Sequence, residues 1–283
     1  MRRRAARNLA VLGLRRAAKR LNFDVVWRDY YSPVPDVSAL PPEAFTAKSS
    51  LPGIDWRPHA QVERHEQLSR HMDELAARHP RLAATNGSYE GLDAAILYAT
   101  VRVEKPRRII EFGAGYSSLV MAAAVRDNAM DGSECHYVAV EPYPSSLLRP
   151  APEGLDELRP VSARDFPTDE LRPLQPGDIV FIDTTHVVKL HSEVNHLLLE
   201  VIPRLPRGVL VHIHDIFLPY EYPRDWFLER GYYWNEQYAV QALLIGNTSL
   251  EVVSANHWLQ REGLVESAGL VSTASALWLR TAP

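Results

Sequence analysis

From about residue 60 onward the chain alternates between two periodicities. Apolar residues three and four apart read as helices, and short unbroken apolar runs read as buried strands. Val62, Leu68, Met72 and Leu75, set among charged positions, predict a helix over 60–79, and a second helix is predicted over 89–101. Apolar runs at 108–112, 136–140, 179–182 and 209–213 predict strands, with a weaker one near 158–161. Turn sequences such as Gln175-Pro176-Gly177-Asp178 and Pro206-Arg207-Gly208 punctuate them. Helices are predicted in between: one opening at Tyr116, one over 187–202 and one near 234–244. In the second of these Val188, Val194, Leu197, Leu198 and Val201 share the buried side. Strands at 250–254 and 274–279 complete the series. The alternation predicts an α/β fold: a Rossmann-like, doubly wound, seven-stranded, mostly parallel sheet with helices on both faces. No internal repeat interrupts it.

The first 60 residues do not follow this pattern. Residues 22–60 are rich in proline and aromatics, among them Trp27, Tyr30, Tyr31, Pro33, Pro35, Pro41 and Pro42, and read as an irregular arm. Its aromatics suit docking on the main domain or on a second copy of the chain in a homodimer. Before it lie Arg2, Arg3, Arg4, Arg7, Arg15, Arg16, Lys19 and Arg20 without an acid; this +8 leaves −12 for the rest of a chain whose net charge is −4. The expected organisation is therefore a helical and irregular extension over 1–60 and one domain over 61–283. Leu9, Val11 and Leu12 give residues 1–20 a partly apolar side. Two readings stand: a basic amphipathic helix resting on an anionic membrane surface, or a solvated or self-docked terminal helix. The short apolar stretch before Arg15 and the missing cleavage-like site disfavour a signal peptide. The acidic remainder disfavours nucleic acid as a partner. Cys135 is the single cysteine among 283 residues, so no internal disulfide forms, which fits a cytoplasmic protein. Contact at the inner membrane surface through residues 1–20 stays open.

The strand exits carry the chemistry. Glu111 and Phe112 close the first strand, Gly113-Ala114-Gly115 turns the chain, and Tyr116-Ser117-Ser118 opens a helix. Such a turn lets a ligand approach backbone N–H groups that a Cβ would shield. The next strand ends in Glu141, at the distance where an acid can hold two ribose hydroxyls. A dinucleotide fingerprint would need a third glycine where Ser118 stands, and a pyrophosphate sits poorly beside Glu111. These features favour a nucleoside without phosphates over NAD. Asp183 and Asp215 follow the fourth and fifth strands, so four acids stand at strand tips.

Glu111, Gly113, Gly115 and Glu141, with Phe181-Ile182-Asp183-Thr184-Thr185-His186 and Val211-His212-Ile213-His214-Asp215, resemble the class I S-adenosylmethionine-dependent methyltransferases. The resemblance spans roughly 85–280 and points to a bacterial branch of sugar and natural-product O-methyltransferases. It implies a cofactor site at Glu111, Gly113, Ala114, Gly115, Tyr116, Ser117, Ser118 and Glu141, with Asp183 beside it and Asp165 at the adenine. Glu111 is expected at the methionine end and Glu141 on the ribose.

The acceptor's proton must be removed by a base or a metal, because a sugar hydroxyl is a poor nucleophile. His186 is the first candidate base, His214 the second, with Asp215 beside it. Asp183, His214 and Asp215 are candidate ligands for a divalent cation such as Mg2+ or Mn2+. Residues 216–238 are unusually aromatic and are expected to cover a saccharide, glycolipid or other small-molecule acceptor, with Tyr222, Trp226, Trp234, Asn235 and Glu236 touching it. Two rivals stand beside an O-methyltransferase: an NAD-linked oxidoreductase, and an inactive membrane-associated binding protein of the same fold.

Overall fold

The apolar runs become seven strands in a computed structural model that describes residues 14–15, 18–23, 30–265 and 272–282. Helix α1 (Pro58–Arg78) and helix α2 (Gly91–Glu104) precede strand β1 (Arg108–Phe112). Then follow α3 (Tyr116–Met130), β2 (His136–Val140), β3 (Glu157–Arg159), β4 (Ile179–Ile182), the short α4 (Glu193–His196) and β5 (Leu210–Ile213). The series ends with α5 (Glu236–Leu244), β6 (Leu250–Ala255), α6 (Asn256–Arg261) and β7 (Leu277–Thr281). No described helix is long and apolar enough to cross a membrane.

The sheet runs β3-β2-β1-β4-β5-β7-β6. Strands β1 to β5 pair in parallel, and β7 runs antiparallel to both β5 and β6. Strand order reverses between β1 and β4, the place where open α/β sheets bind ligands at the carboxyl ends of their strands. The register brings four strands to an end together: Phe112 lies beside Val140 and Ile182, and Ile182 beside Ile213. The next residue of each strand is Gly113, Glu141, Asp183 or His214. The backbone ladder carries one step further, with Gly113 N–H donating to Val140 O (2.9 Å), Asp183 N–H to Phe112 O (2.8 Å) and His214 N–H to Ile182 O (2.9 Å). The site residues are thus aligned by backbone pairing.

Both faces of the sheet are apolar, as strands buried on two sides require. Ile109, Tyr137, Ala139, Phe181 and Trp278 pack with α1, α2 and α3 on one face. Ile110, Val138, Val180, Val211 and Leu279 pack on the other with Val194, Leu198, Val240 and Leu244. Helix α2 is buried nearly throughout, from Gly91 to Arg102, because it lies between α1 and α3.

Two predicted elements differ. The helix expected over 187–202 starts at Glu193, where the Ser192 hydroxyl caps it by accepting from Asn195 N–H. Residues 187–191 instead form a loop, tied by the Asn195 side chain donating to Lys189 O. The remainder widens into a π turn (Leu197–Val201) and tightens again at Pro203. The last strand begins at Leu277 rather than 274, since the amides of Ser275 and Ala276 donate to the Asp93 carboxylate instead of to a neighbouring strand.

The chain divides into two compact units: residues 1–44 with 223–233, and residues 45–222 with 234–283. The smaller unit contains the short helix Arg224–Leu228, in which Trp226 meets Tyr232 edge-on at 6.2 Å. The larger holds the sheet. Most of the basic terminus, including Arg2, Arg3, Arg4 and Arg7, lies outside the described residues, as does Trp27.

Candidate functional site

The glycine turn follows from two different physical demands. Gly113 has φ +87°, and a Cβ there would come within 1.7 Å of the Asp183 carbonyl oxygen. Only glycine lets β1 and β4 approach so closely at their tips. Gly115 is different: a Cβ there would meet nothing within 4 Å. The protein leaves free space before this backbone, as a cradle for a ligand must. Ser118 braces the turn, its hydroxyl accepting from Gly115 N–H at 3.0 Å.

Glu141 faces this turn. Its Oε2 lies 3.4 Å from Ala114 N, and its Oε1 accepts from Tyr143 N–H at 2.8 Å. The carboxylate is half-exposed, and each oxygen keeps a lone pair for a ribose hydroxyl. The residues therefore fit a nucleoside cofactor: a bare turn, free space before Gly115, and an acid at the neighbouring tip.

Glu111 has a different set of partners from a ligand contact. It is fully buried, and Ser117, Ser118 and Tyr137 donate their hydroxyls to its carboxylate. Burial pushes its carboxyl up to about 7, against the pull of those three donors. Strand alternation explains the position, since Glu111 shares its sheet face with Ile109, inside the core. Glu111 locks the start of α3 to β2 from beneath the turn. Asp165 stands exposed in the short turn Ala163–Asp165 after β3.

The second half of the site gathers across β4 and β5. His186 Nε2 lies 3.1 Å from Asp183 Oδ1 and 3.7 Å from Asp215 Oδ2, and its Nδ1 lies 2.9 Å from Glu236 Oε2. His186 and Asp215 both adopt positive φ, +55° and +56°. For non-glycine residues this costs on the order of 1 kcal/mol or more and is concentrated at functional sites. Ser275 Oγ holds Asp215 Oδ1 at 2.8 Å, and the Trp234 ring lies over His186 at 4.3 Å.

Charge is closely matched in this cluster. Burial would push His186 down, but its hydrogen bonds to Asp183 and Glu236 hold it well above the usual histidine range. Burial would raise the Asp183 carboxyl, but His214 and His186 hold it at about 2. His214 is raised by Asp215, Asp183 and Asp93, against burial. His212 is driven down by burial and by His214, and its Nε2 lies 3.1 Å from the Tyr89 hydroxyl. His212 and His214 share a face as alternation demands, and both rings pack on Tyr89.

The group that shares a centre with Asp183 and Asp215 is His186, not His214. One ligand atom from each of Asp183, His186 and Asp215 lies within 4.8 Å of the others. His214 sits behind, 3.7 Å from Asp215 Oδ1 and 7% exposed, because β5 turns it toward Tyr89. Two carboxylates and one imidazole suit a divalent metal, and a ligating imidazole usually gives its other N–H to a carboxylate, as His186 does to Glu236. The donor set therefore fits a cation.

Among the residues of the aromatic connection expected to touch an acceptor, Tyr222 and Glu236 are buried. Tyr222 is 1% exposed, and its hydroxyl accepts from Gln237 N–H, so its ring belongs to the core. Glu236 is equally buried. Asn235 Oδ1 accepts from Val188 N–H at 2.6 Å, fixing the loop beyond His186. Trp226 belongs to the smaller unit, and Trp234 is the aromatic that reaches the cluster. Tyr89, placed by the sequence at the start of the helix over 89–101, is the floor on which the His212 and His214 rings pack.

Known proteins show similarity to this chain. Residues 110–216 match the family model described as "Methyltransferase domain". A protein of Archaeoglobus fulgidus named only as uncharacterized is 27% identical over 173 residues, covering 55% of this chain and 71% of its own. An O-methyltransferase of tomaymycin synthesis from Streptomyces achromogenes, in complex with SAM, aligns over 85% of this chain and 93% of its own at TM-score 0.44 and 16% identity. A Bacillus cereus O-methyltransferase with SAH covers 76% and 90% at TM-score 0.43 and 14% identity. A TDP-rhamnose 3'-O-methyltransferase of calicheamicin biosynthesis covers 85% and 99% at TM-score 0.43 and 14% identity. The matched segment runs from β1 past the exit of β5 and contains the glycine turn, Glu141, Asp183, His186 and Asp215. Residues 110–216 of the chain are thus similar to a methyltransferase domain.

Proposed function

We propose that the protein transfers the methyl group of S-adenosylmethionine to a hydroxyl oxygen, on a saccharide or a glycosylated small molecule. One observation carries this reading: the cofactor turn and the acid–histidine cluster are one construction, joined where Gly113 packs on the Asp183 carbonyl. In it, Gly113 to Ser118 shape the methionine and sulfonium end, and Glu141 grips the ribose. Asp165 is the candidate adenine contact.

The reaction is an in-line displacement. The acceptor oxygen forms its bond to the methyl carbon while the carbon–sulfur bond breaks, and sulfur leaves as a neutral thioether. The acceptor's proton passes to a base. His186 is assigned that role, with His214 as the second candidate, because Nε2 of His186 faces Asp183 and Asp215 at the tips of β4 and β5. The hydrogen bonds to Asp183 and Glu236 favour the protonated ring, so His186 must release a proton before it can take the acceptor's. In the alternative arrangement a divalent cation held by Asp183, His186 and Asp215 would polarise the acceptor hydroxyl and lower its pKa, with Nε2 of His186 then a ligand and not the base. The Trp234 ring over His186 helps to exclude water from the reacting pair.

A saccharide acceptor suits a pocket edge that offers carboxylates and indole together. The assay is transfer of label from S-adenosylmethionine to a panel of free and nucleotide-linked sugars, with Mg2+ or Mn2+ present. His186→Ala is expected to lower turnover by at least about a hundredfold while leaving S-adenosylhomocysteine affinity unchanged. Parental turnover in that variant removes His186 from the chemistry, and label reaching no hydroxyl compound removes the acceptor class.

A further inference from the structure

Glu236 stands outside the matched 110–216 segment, yet it makes the closest contact to the His186 ring. Its side chain is 1% exposed, so it reaches neither solvent nor a passing sugar. Its Oε2 lies 2.9 Å from His186 Nδ1, while Oε1 is buried without a hydrogen-bond partner. The same stretch holds His186 at its other end: Asn235 N–H and Glu236 N–H both donate to the His186 carbonyl, at 3.1 and 3.2 Å. The first turn of α5 thus clamps one residue by its backbone and by its ring. His186 needs such a clamp, because φ +55° is a strained conformation that its own sequence does not favour.

We infer that Glu236 is a positioning residue for the methyl-transfer step, fixing both the orientation and the tautomer of His186. The inference rests on the reading of His186 as the base. With its Nδ1 proton donated to Glu236, the ring can offer a lone pair only at Nε2, the nitrogen that faces Asp183 and Asp215. A buried carboxylate behind an imidazole is the arrangement that selects one tautomer in other acyl- and proton-transfer sites. The contact with a sugar expected of Glu236 from sequence gives way to a contact with the base itself. With Oε1 buried and unpartnered, the His186 ring is the hydrogen-bond partner of the Glu236 carboxylate.

The test compares Glu236→Gln, Glu236→Ala and His186→Ala in the full chain. Nuclear magnetic resonance of 15N-histidine-labelled protein, with His186 assigned by its absence in His186→Ala, is expected to show one set of ring signals with a low-field, hydrogen-bonded Nδ1 proton. Glu236→Ala should lose that proton signal, and Glu236→Gln, with an acceptor of equal size but no charge, should move it upfield. S-adenosylhomocysteine affinity should stay within about twofold in both, which also reports that they are folded. With any hydroxyl acceptor found by the labelling assay, Glu236→Gln should lower kcat about tenfold or more with little change in KM for S-adenosylmethionine. Added acetate should restore part of the rate of Glu236→Ala. The double variant with His186→Ala should be no slower than His186→Ala alone. An Nδ1 proton signal unchanged in both Glu236 variants, or parental kcat in Glu236→Gln while His186→Ala is inactive, overturns the role of Glu236. Parental kcat in His186→Ala overturns the base reading instead, whatever the ring signals show.

Discussion

Gly113 and Gly115 are two residues apart and answer to different constraints. Gly113 is demanded by the protein: an added methyl would overlap the Asp183 carbonyl, and φ is +87°. Gly113→Ala is expected to cost about 2–3 kcal/mol of stability, as overpacking with backbone strain does. Gly115→Ala meets open space, so its stability should stay near parental while S-adenosylhomocysteine affinity falls. Urea midpoints and a ligand titration on the two variants check the contrast; equal stability losses would contradict it. The sequence showed the two glycines but not this division of labour, because contact between β1 and β4 lies 70 residues away along the chain.

Glu111 carries a second residue-scale prediction. Its folded carboxyl, at about 7, lies above the ordinary glutamate value of 4.5. Between those pH values the folded state holds a proton that the unfolded state has released. Unfolding free energy therefore falls as pH rises across this window, by on the order of 3 kcal/mol at most, and levels off above it. Glu111→Gln should flatten that slope, whatever it does to absolute stability. Urea titrations at pH 4.5, 6 and 7.5 measure it, and an unchanged slope in the variant would refute the assignment. That Glu111 faces inward follows from alternation along β1. Its identity as an acid at a strand tip suggested a ligand contact, and only the positions of Ser117, Ser118 and Tyr137 reveal the lock.

Among the elements, α2 depends on one acid. Asp93 is 3% exposed and accepts from the Asn256 side chain and from the amides of Ser275 and Ala276. It ties α2 to the start of α6 and to the chain entering β7. Asp93→Ala would leave three buried donors without an acceptor, at a cost of roughly 2–4 kcal/mol. A lower urea midpoint with an unchanged slope is the expected result; a midpoint within error of the parent would show that water replaces the carboxylate. Strand positions β1, β2 and β4 were legible because unbroken apolar runs admit little else. The helix at 187–202 was not, because its apolar pattern begins in a loop that Asn235 and Asn195 hold open by tertiary hydrogen bonds. Leu190, within the span predicted as that helix, is 97% exposed.

For the molecule as a whole, the alternation of strands and helices was enough to give the doubly wound sheet and its switch point. The direction of β7 was not in the pattern, since a buried apolar run reads the same both ways along the chain. Four strand tips were legible as Glu111, Glu141, Asp183 and Asp215, whereas the level row Gly113, Glu141, Asp183 and His214 is a property of the register. Which histidine joins the two aspartates was beyond reach, because strand alternation constrains His214 but not a loop residue such as His186. The proposed function follows from that row: one side of it would take the cofactor, and the other would prepare the acceptor.

Calorimetric titration of the chain with S-adenosylhomocysteine, repeated on Glu141→Ala, tests this most directly. One binding site is expected in the parent, with affinity about 10–100-fold weaker in the variant, the worth of a charged hydrogen-bond pair. No binding at millimolar ligand, or equal affinity in both proteins, would contradict a nucleoside held between the Gly113–Gly115 turn and Glu141.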